Sequence, residues 1–397
     1  MVSRLASFLG GFFLLLSSFI PVSAQKPVRL PAGINASLPR FTTDHRGNPV
    51  ISWVEKTGRS LVFCYSLSTD GGRTFGPKKT VPGPAEFSVH TEGKPKIAFK
   101  KDGTLIATFE VSRPTEEAPR AGDLLFVLSR DGGSHWTRPA AVHRDTSPGK
   151  SHSFSDLNRL PDGEVGIVFL DEKMPGQEGR SVKFAKTEPG GGFGPEVLID
   201  SNACQCCRTS VISDEAGTLY IAYRDLLPDG SRDISYATSA DGGRTFSRPQ
   251  LVRADHWQID ACPHSGPQLV AAPGGVLATW YSGREGEAGI RLAGLGREDL
   301  LEKPRTSAMK FPQVAVLTDG RTTLCWEEWV GEGPGAYRKI GLKYFDKTGK
   351  ALSERYLTPT GETAAQSTLL ATPTGLLLAY TRLGETTSTL TLITLPD

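Results

Sequence analysis

One eight-residue turn motif occurs three times along the chain with almost the same spelling. It reads STDGGRTF at 68–75, SRDGGSHW at 129–136 and SADGGRTF at 239–246. Consecutive glycines allow a tight turn with positive φ, and the aspartate carboxylate can accept hydrogen bonds from the turn amides. The spacing implies a unit of roughly 55–60 residues, with one copy too degenerate to recognise. A chain with this repeat is expected to fold as an array of similar units.

A second recurring pattern defines the unit itself. It is a strand, a turn containing glycine and a second, apolar strand, and its copies begin near positions 39, 95, 156, 209, 267, 312 and 368. Each copy reads as a β-hairpin, and most are followed by two further strands. The sequence therefore predicts an all-β fold, a β-propeller of four-stranded blades, seven by this count and six if the weakest unit is not a blade. The segment KPVRLPAG is expected to supply a strand to the last blade and close the ring.

The three turn motifs carry a resemblance to a known superfamily. Ser-x-Asp-x-Gly-x-Thr-aromatic turns are the Asp boxes of the sialidase-like (BNR-repeat) propellers, and the likeness covers most of the mature chain. The resemblance implies that Asp70, Asp131 and Asp241 stabilise rim hairpins and do not contact ligand. It also implies a protein that binds or cleaves an acidic glycan, with exo-sialidase activity as the specific expectation.

The same resemblance suggests residues for gripping a substrate carboxylate. Arg113 follows the strand of GTLIATFEVSR, and Arg224 ends GTLYIAYR, which is similar to a sialidase blade carrying a carboxylate-binding arginine. Lys94 stands where alignment on the following proline would place another such arginine. Arg232 and Arg284 add positive charge to the same expected face, which favours an acidic glycan or another carboxylate-bearing ligand. No catalytic residue is identified by motif, although the loop holding Glu116 and Glu117 could supply an acid/base carboxylate.

Three of the six cysteines are crowded into SNACQCCRTS at 201–210. Cys204, Cys206 and Cys207 lie on a link between blades, and WQIDACPHSGP at 257–267 is the next such link, carrying Cys262 and His264. Both links enter inner strands of adjacent blades, so we expect Cys262 within bonding or co-ligation reach of at least one of the three. Disulfides stapling the links and a Cu or Zn site completed by His264 and His152 both fit these residue types.

The N-terminal residues and the overall charge limit location and partners. Residues 1–24 have an apolar run after Arg4 and small residues before Gln25, which predicts a signal peptide cut near Ala24 and a secreted or periplasmic protein. Residues 25–397 would then form a single propeller domain. The formal net charge of +2 gives no reason to expect nucleic acid as a partner, and no later stretch is long and apolar enough for a membrane span.

Two functions of different classes follow from the sequence. The first is a sialidase-like glycoside hydrolase that binds or cleaves an acidic glycan on the face carrying the cysteines and arginines. The second is a non-catalytic exported propeller whose cysteine and histidine residues bind a soft metal or form a structural staple. Metal analysis and thiol counting separate the metal site from the disulfide staple.

Overall fold

Seven antiparallel sheets make up the structure, a computed structural model that describes residues 26–297 and 299–395; six have four strands, and in blade 2 the innermost strand is divided into two short pieces. Blade 1 has β2 (Ala36–Thr43), β3 (Pro49–Thr57), β4 (Ser60–Leu67) and β5 (Lys79–Val81). Blade 2 has β6 (Phe87–Ser88), β7 (Lys96–Phe99), β8 (Leu105–Ser112), β9 (Gly122–Ser129) and β10 (Ala140–Ala141), and both β6 and β7 pair with β8. Blade 3 has β11 (Ser153–Arg159), β12 (Val165–Leu170), β13 (Arg180–Lys186) and β14 (Val197–Ala203); blade 4 has β15 (Ser210–Ser213), β16 (Leu219–Arg224), β17 (Ile234–Ser239) and β18 (Gln250–Arg253).

The remaining three blades repeat this order. Blade 5 has β19 (Gln268–Ala272), β20 (Gly275–Ser282), β21 (Gly289–Gly294) and β22 (Leu300–Glu302); blade 6 has β23 (Met309–Val316), β24 (Thr322–Val330), β25 (Tyr337–Phe345) and β26 (Ala351–Tyr356). Blade 7 has β27 (Thr363–Thr372), β28 (Gly375–Leu383), β29 (Ser388–Leu395) and β1 (Lys26–Pro27). A single 3₁₀ turn at Gly333–Gly335 is the only helical element of the described residues. The predicted all-β, seven-bladed propeller is confirmed.

The ring is closed by a strand from the N-terminal end of the described chain. β1 pairs antiparallel with β29, with Lys26 opposite Thr394 and Pro27 opposite Ile393. The innermost strands of the seven blades contact one another in chain order, and β2 contacts β27 to complete the circle. The segment KPVRLPAG therefore supplies the fourth strand expected of it. The predicted signal peptide, residues 1–24, lies outside the described residues.

The core lies between adjacent blades, because each sheet buries both of its faces against its neighbours. One apolar cluster joins blades 1 and 2 through residues such as Phe63 and Phe109, and another joins blades 3 and 4. Trp53, Trp280 and Trp326 are among the largest fully buried side chains. In the part of the chain that the structure describes, no helix has the length and apolar character that crossing a bilayer requires.

Each Asp box forms the turn between the third and fourth strands of its blade. Asp70 accepts hydrogen bonds from the Thr74 amide and hydroxyl at 2.9 and 2.6 Å, and Asp131 and Asp241 repeat this arrangement. The Thr74 hydroxyl and amide lower the pKa of Asp70 to about 2. A Cβ at the second glycine of each box would collide with a side chain of the preceding blade. At Gly243 the collision would be with Phe184. The boxes thus fasten neighbouring blades, at the end of the sheets opposite to the links between blades.

This geometry predicts a purely structural effect for Asp241→Ala. The turn amides of Arg244 and Thr245 lose their acceptor, and we expect the melting temperature to fall by roughly 2–4 °C. Ligand affinity should not change at temperatures where the variant is folded. Asp260→Ala, at an exposed position, is the control and should leave the melting temperature unchanged. A loss of ligand affinity without a loss of stability would contradict the structural role.

Candidate functional site

A cavity of about 610 Å³ opens on the face formed by the links between blades and by the loops between second and third strands. It lies over blades 2 and 3, next to the propeller axis, and the links leading into blades 2, 3, 4 and 5 all contribute to its wall. The residues that line the cavity include His90, Glu110, Arg120, His152, Phe154, Glu172, Lys173, Cys206, Cys262 and His264. It is lined by both acid/base groups and apolar surface, as ligand sites commonly are.

A carboxylate and an imidazole face each other in this cavity. Glu110, near the end of β8, is only 7% exposed, and its Oε1 accepts the Phe154 amide at 2.7 Å. Its Oε2 lies 3.4 Å from His90 Nε2. His90 Nδ1 accepts the Gly93 amide at 3.0 Å, so the neutral ring carries its proton on Nε2, towards Glu110. A side chain at Gly93 would collide with both groups, which explains glycine there.

The backbone at Phe154 supplies the amide that holds Glu110. β11 has a bulge between Ser153 and Asp156, where Phe154 has a φ of 55°. Bulges of this kind redirect side chains and commonly occur beside active sites. Here the bulge points the Phe154 amide at Glu110, and the Phe154 carbonyl accepts the amide and hydroxyl of Thr209. The strained residue thereby links blade 2 to the start of blade 4.

Two exposed cations and a second carboxylate also line the cavity. Arg120 lies on the loop between β8 and β9, and Lys173 lies on the loop between β12 and β13. Neither forms an ion pair with any described residue. The adjacent Glu172 carboxylate is held by the amides of Ser151 and Lys173, at 2.9 and 3.0 Å. The charges of Arg120 and Lys173 are therefore available to an anionic ligand.

The arginines indicated by the sequence lie elsewhere. Arg224 is 1% exposed, stacks on Trp257 at 4.8 Å and donates to the carbonyl oxygens of Ser265, Arg232 and Tyr281 at 2.6–3.3 Å. This arrangement favours a structural role, because its donors point into the protein and its side chain does not line the cavity. A carboxylate grip by Arg224 therefore receives no geometric support in the described structure.

The other predicted cations are also separated from the cavity. Arg113 is exposed and lies 3.7 Å from Asp123, and Arg284 lies 3.6 Å from Glu287. Lys94 lines a separate channel of about 290 Å³ on the axis, where its Nζ donates to the Pro39 carbonyl at 3.2 Å. Burial, and after it the charges of Arg40 and Lys96, lower the pKa of Lys94 to about 7. Exposed Glu116 and Glu117 do not line the cavity either.

The cysteines of the link into blade 4 form one compact group. The sulphurs of Cys204, Cys206 and Cys207 all lie within 4.8 Å of one another, with 4.0 Å between Cys204 and Cys207. All three side chains are buried, and none of the six cysteines forms a disulfide bond. Arg232, one of the predicted ligand-binding arginines, instead donates from Nη1 to Cys204 Sγ at 3.4 Å. Cys64 and Cys325 are buried in β4 and β24.

The other predicted disulfide or metal partners, Cys262, His264 and His152, lie outside this compact group. Within residues 26–297 and 299–395, no other residue joins a group of three or more potential ligands. Cys262 is exposed and shares the cavity with Cys206, while His264 Nδ1 lies 3.0 Å from the Cys262 carbonyl. His152 is stacked on His143 at 3.5 Å and pairs with Asp171. The links converge, His264 and His152 contact the groups just named, and the participation of Cys262, His264 or His152 in a disulfide or a metal site stays a prediction.

A buried glutamate near the axis fastens the converging links and was not identified from sequence. Glu92 is 2% exposed, and its Oε2 accepts the amides of Arg208 and Gly266 at 3.1 and 2.7 Å. Its Oε1 pairs with the Arg208 guanidinium. Glu110 was missed as well, although a carboxylate inside the apolar run LIATFEV is a signal that could have found it, because buried carboxylates require specific partners.

Known proteins with this architecture include glycan-active enzymes. The chain is 25% identical over 250 residues to a sialidase of Micromonospora viridifaciens. The match covers 57% of this chain and about a third (34%) of the length of that sialidase. A Trypanosoma rangeli sialidase has a TM-score of 0.52 at 12% identity, over 91% of this chain and 54% of that one. A PL25 ulvan lyase bound to -[GlcA(1-4)Rha3S]- also has a TM-score of 0.52, at 14% identity, over 80% and 82%.

These likenesses confirm the resemblance to the sialidase-like propellers that the Asp boxes indicated. The two solved structures establish the shared fold, since their identities are low. The family described as the BNR repeat-like domain matches residues 48–344, most of the described propeller, and the chain therefore belongs to the BNR repeat-like domain family.

Proposed function

We propose that this protein binds and cleaves an acidic glycan in the cavity over blades 2 and 3, with Glu110 as the proton-transferring group. One observation carries the proposal: a single cavity combines the buried Glu110–His90 pair with the exposed cations Arg120 and Lys173. The pair supplies acid/base chemistry, and the cations supply attraction for a carboxylate or sulfate on the sugar.

Glu110 has the environment that proton transfer requires. Its Oε1 is fixed by the Phe154 amide, while Oε2 faces His90 and the cavity. A carboxyl group held in this way can deliver a proton to a glycosidic oxygen or accept one from a sugar carbon. Hydrolysis and elimination both need such a step, and product analysis separates them because only elimination leaves an unsaturated sugar.

The substrate class follows from charge rather than from a sialidase-type arginine grip. Arg224 is committed to backbone carbonyls, and Arg113, Arg232 and Arg284 do not line the cavity. The proposal is therefore an acidic glycan, of which sialosides are one class and uronic acid polymers another. That a sialidase and an ulvan lyase share this fold agrees with the proposal. The signal peptide predicted over residues 1–24 would bring the cavity to extracellular glycans and stays a prediction.

The cavity cations provide the direct test of ligand charge. In the double variant Arg120→Gln/Lys173→Gln we expect affinity for acidic oligosaccharides to fall about tenfold, since two charge-assisted contacts are lost. Binding is measured by calorimetry on a panel of sialylated, uronic acid and neutral oligosaccharides at two salt concentrations. Binding of the acidic ligands should also become less dependent on salt.

A matched control removes the same charge from the opposite end of the propeller. Arg73→Gln/Arg244→Gln changes two exposed Asp-box arginines and should leave affinity unchanged. An equal loss in both double variants would show a general charge effect and contradict the proposed site. Tighter binding of neutral than of acidic oligosaccharides by the unmodified protein would overturn the substrate class.

A further inference from the structure

We propose that Cys204, Cys206 and Cys207 together bind one Cu(I) ion. The three residues occupy the link between β14 and β15, and their sulphurs form the only group of three or more potential ligands within the described residues. Each side chain is at most 5% exposed. Three thiols gathered at one buried point form a soft donor set of the type that selects Cu(I) or Zn(II).

The separation of the sulphurs fits a three-coordinate ion. Thiolate–metal bonds of about 2.3 Å place three sulphurs at the corners of a triangle with edges of about 4.0 Å. Cys204 Sγ and Cys207 Sγ are 4.0 Å apart, and Cys206 Sγ lies within 4.8 Å of both. The spacing of the sulphurs is therefore close to that of a three-coordinate thiolate centre.

The number of donors favours Cu(I) over Zn(II). Structural zinc sites are almost always four-coordinate, whereas Cu(I) is stable with three thiolates. Among the described residues no fourth ligand atom lies within the group, and His264 and His152 have other partners. A triangle of thiolates without a fourth protein donor is therefore the arrangement that this link offers.

The surroundings compensate the charge of such a centre. Cu(I) with three thiolates carries two negative charges, which burial would penalise without cations nearby. Arg232 Nη1 lies 3.4 Å from Cys204 Sγ, and Arg232 Nε is buried without a hydrogen-bond partner. Arg224 donates to the Arg232 carbonyl at 2.6 Å and so holds the loop that carries Arg232. The Arg232 guanidinium thus contacts the position where the anionic centre would form and offsets part of its charge.

The link is also held in place and accessible. The Cys204 amide donates to the Arg224 carbonyl at 2.9 Å, and Ala203 forms a bridge with Asp225. Phe154 packs against the three cysteines and shields them. Cys206 lines the cavity described above, which provides a path by which an ion can enter. The site therefore has ligands, compensating charge, a rigid frame and an entry route.

The test is a Cu(I) titration of reduced full-length protein under anaerobic conditions, in competition with a chromogenic Cu(I) chelator. We expect one Cu(I) per chain. Cys204→Ser, Cys206→Ser and Cys207→Ser should each weaken binding at least 100-fold, whereas Cys262→Ser, the matched control at an exposed cysteine of the same cavity, should not change it. X-ray absorption of the loaded unmodified protein should show three sulphurs at about 2.3 Å, and it decides the question even if a variant fails to fold.

Three results would overturn the proposal. Failure of the reduced protein to hold Cu(I) against the chelator would remove the site. Preferential binding of Zn(II) with an additional nitrogen or oxygen donor would replace the three-coordinate assignment. A purified protein whose Cys204 and Cys207 are disulfide-bonded, and which binds no metal after reduction, would make the group a structural staple. None of these measurements depends on glycan cleavage, so the site and the proposed function can fail separately.

Discussion

Glu110→Gln is expected to lower kcat on the acidic glycan by about 100-fold or more, because a positioned acid/base group contributes at least that factor. Glutamine keeps the size of the side chain and an oxygen that can accept the Phe154 amide, so the bulge in β11 should be preserved. The variant loses the ability to exchange a proton. KM and the melting temperature should therefore change little while turnover falls.

The control variants come from the adjacent loop. Glu116→Gln and Glu117→Gln remove exposed carboxylates that do not line the cavity, and we expect them to retain full activity. A pH profile adds a measurement that a structural role would not alter: the limb of kcat/KM that reports Glu110 should disappear in Glu110→Gln. Retained turnover in Glu110→Gln, or equal losses in the loop variants, would reject Glu110 as the proton-transferring group.

Sequence reasoning was successful where the signals were local and repeated. The hairpin pattern and the Asp boxes report turn chemistry that each blade needs independently of the others, so the seven blades could be counted before the structure was known. Ring closure by KPVRLPAG followed from a last blade that had only three strands of its own. The pairing of Lys26 with Thr394 confirms it.

The candidate site was harder to predict because its contacts join distant parts of the chain. Glu110 belongs to blade 2, yet its hydrogen-bond donor, Phe154, lies in blade 3, and the orientation depends on a bulge with positive φ at a non-glycine residue. Neither the bulge nor its register is visible as a pattern. The signal that was available, a carboxylate within an apolar strand, marks a buried acid without naming its partner.

The cysteines illustrate the difference between placing a backbone and placing a side chain. Topology predicted that the links into blades 4 and 5 would meet, and Glu92 indeed accepts amides from Arg208 and Gly266. Whether Cys262 joins the other thiols depends on side-chain direction, which topology does not determine. Cys262 is exposed and lines the cavity, while Cys204 accepts a hydrogen bond from Arg232.

Arg224 shows how a motif can be located correctly while its role is decided by its surroundings. The resemblance placed it at the end of a strand, as it is in β16, and implied contact with a ligand carboxylate. Its guanidinium instead joins the loop after β16 to the link into blade 5 and to β20, through three carbonyl oxygens. Since those oxygens are buried, their hydrogen bonds must be supplied from within the protein.

Arg224→Lys is therefore expected to lower the free energy of unfolding by about 2–4 kcal/mol, because lysine cannot reach all three carbonyls and leaves buried acceptors unpaired. The contact with Trp257 is weakened at the same time. Urea denaturation followed by tryptophan fluorescence measures the effect. Affinity for acidic oligosaccharides, measured where the variant is fully folded, should stay within about twofold.

The matched control for this change is Arg284→Lys in blade 5. Arg284 is partly exposed, and its only described ion pair, with Glu287, is long at 3.6 Å, so we expect a stability change within about 0.5 kcal/mol. The two arginines thus differ in burial and not in chemistry. If Arg224→Lys instead weakened binding of acidic oligosaccharides several-fold at unchanged stability, the carboxylate grip implied by the resemblance would be restored, and the glycan site would have to be moved from the cavity over blades 2 and 3 towards blade 4.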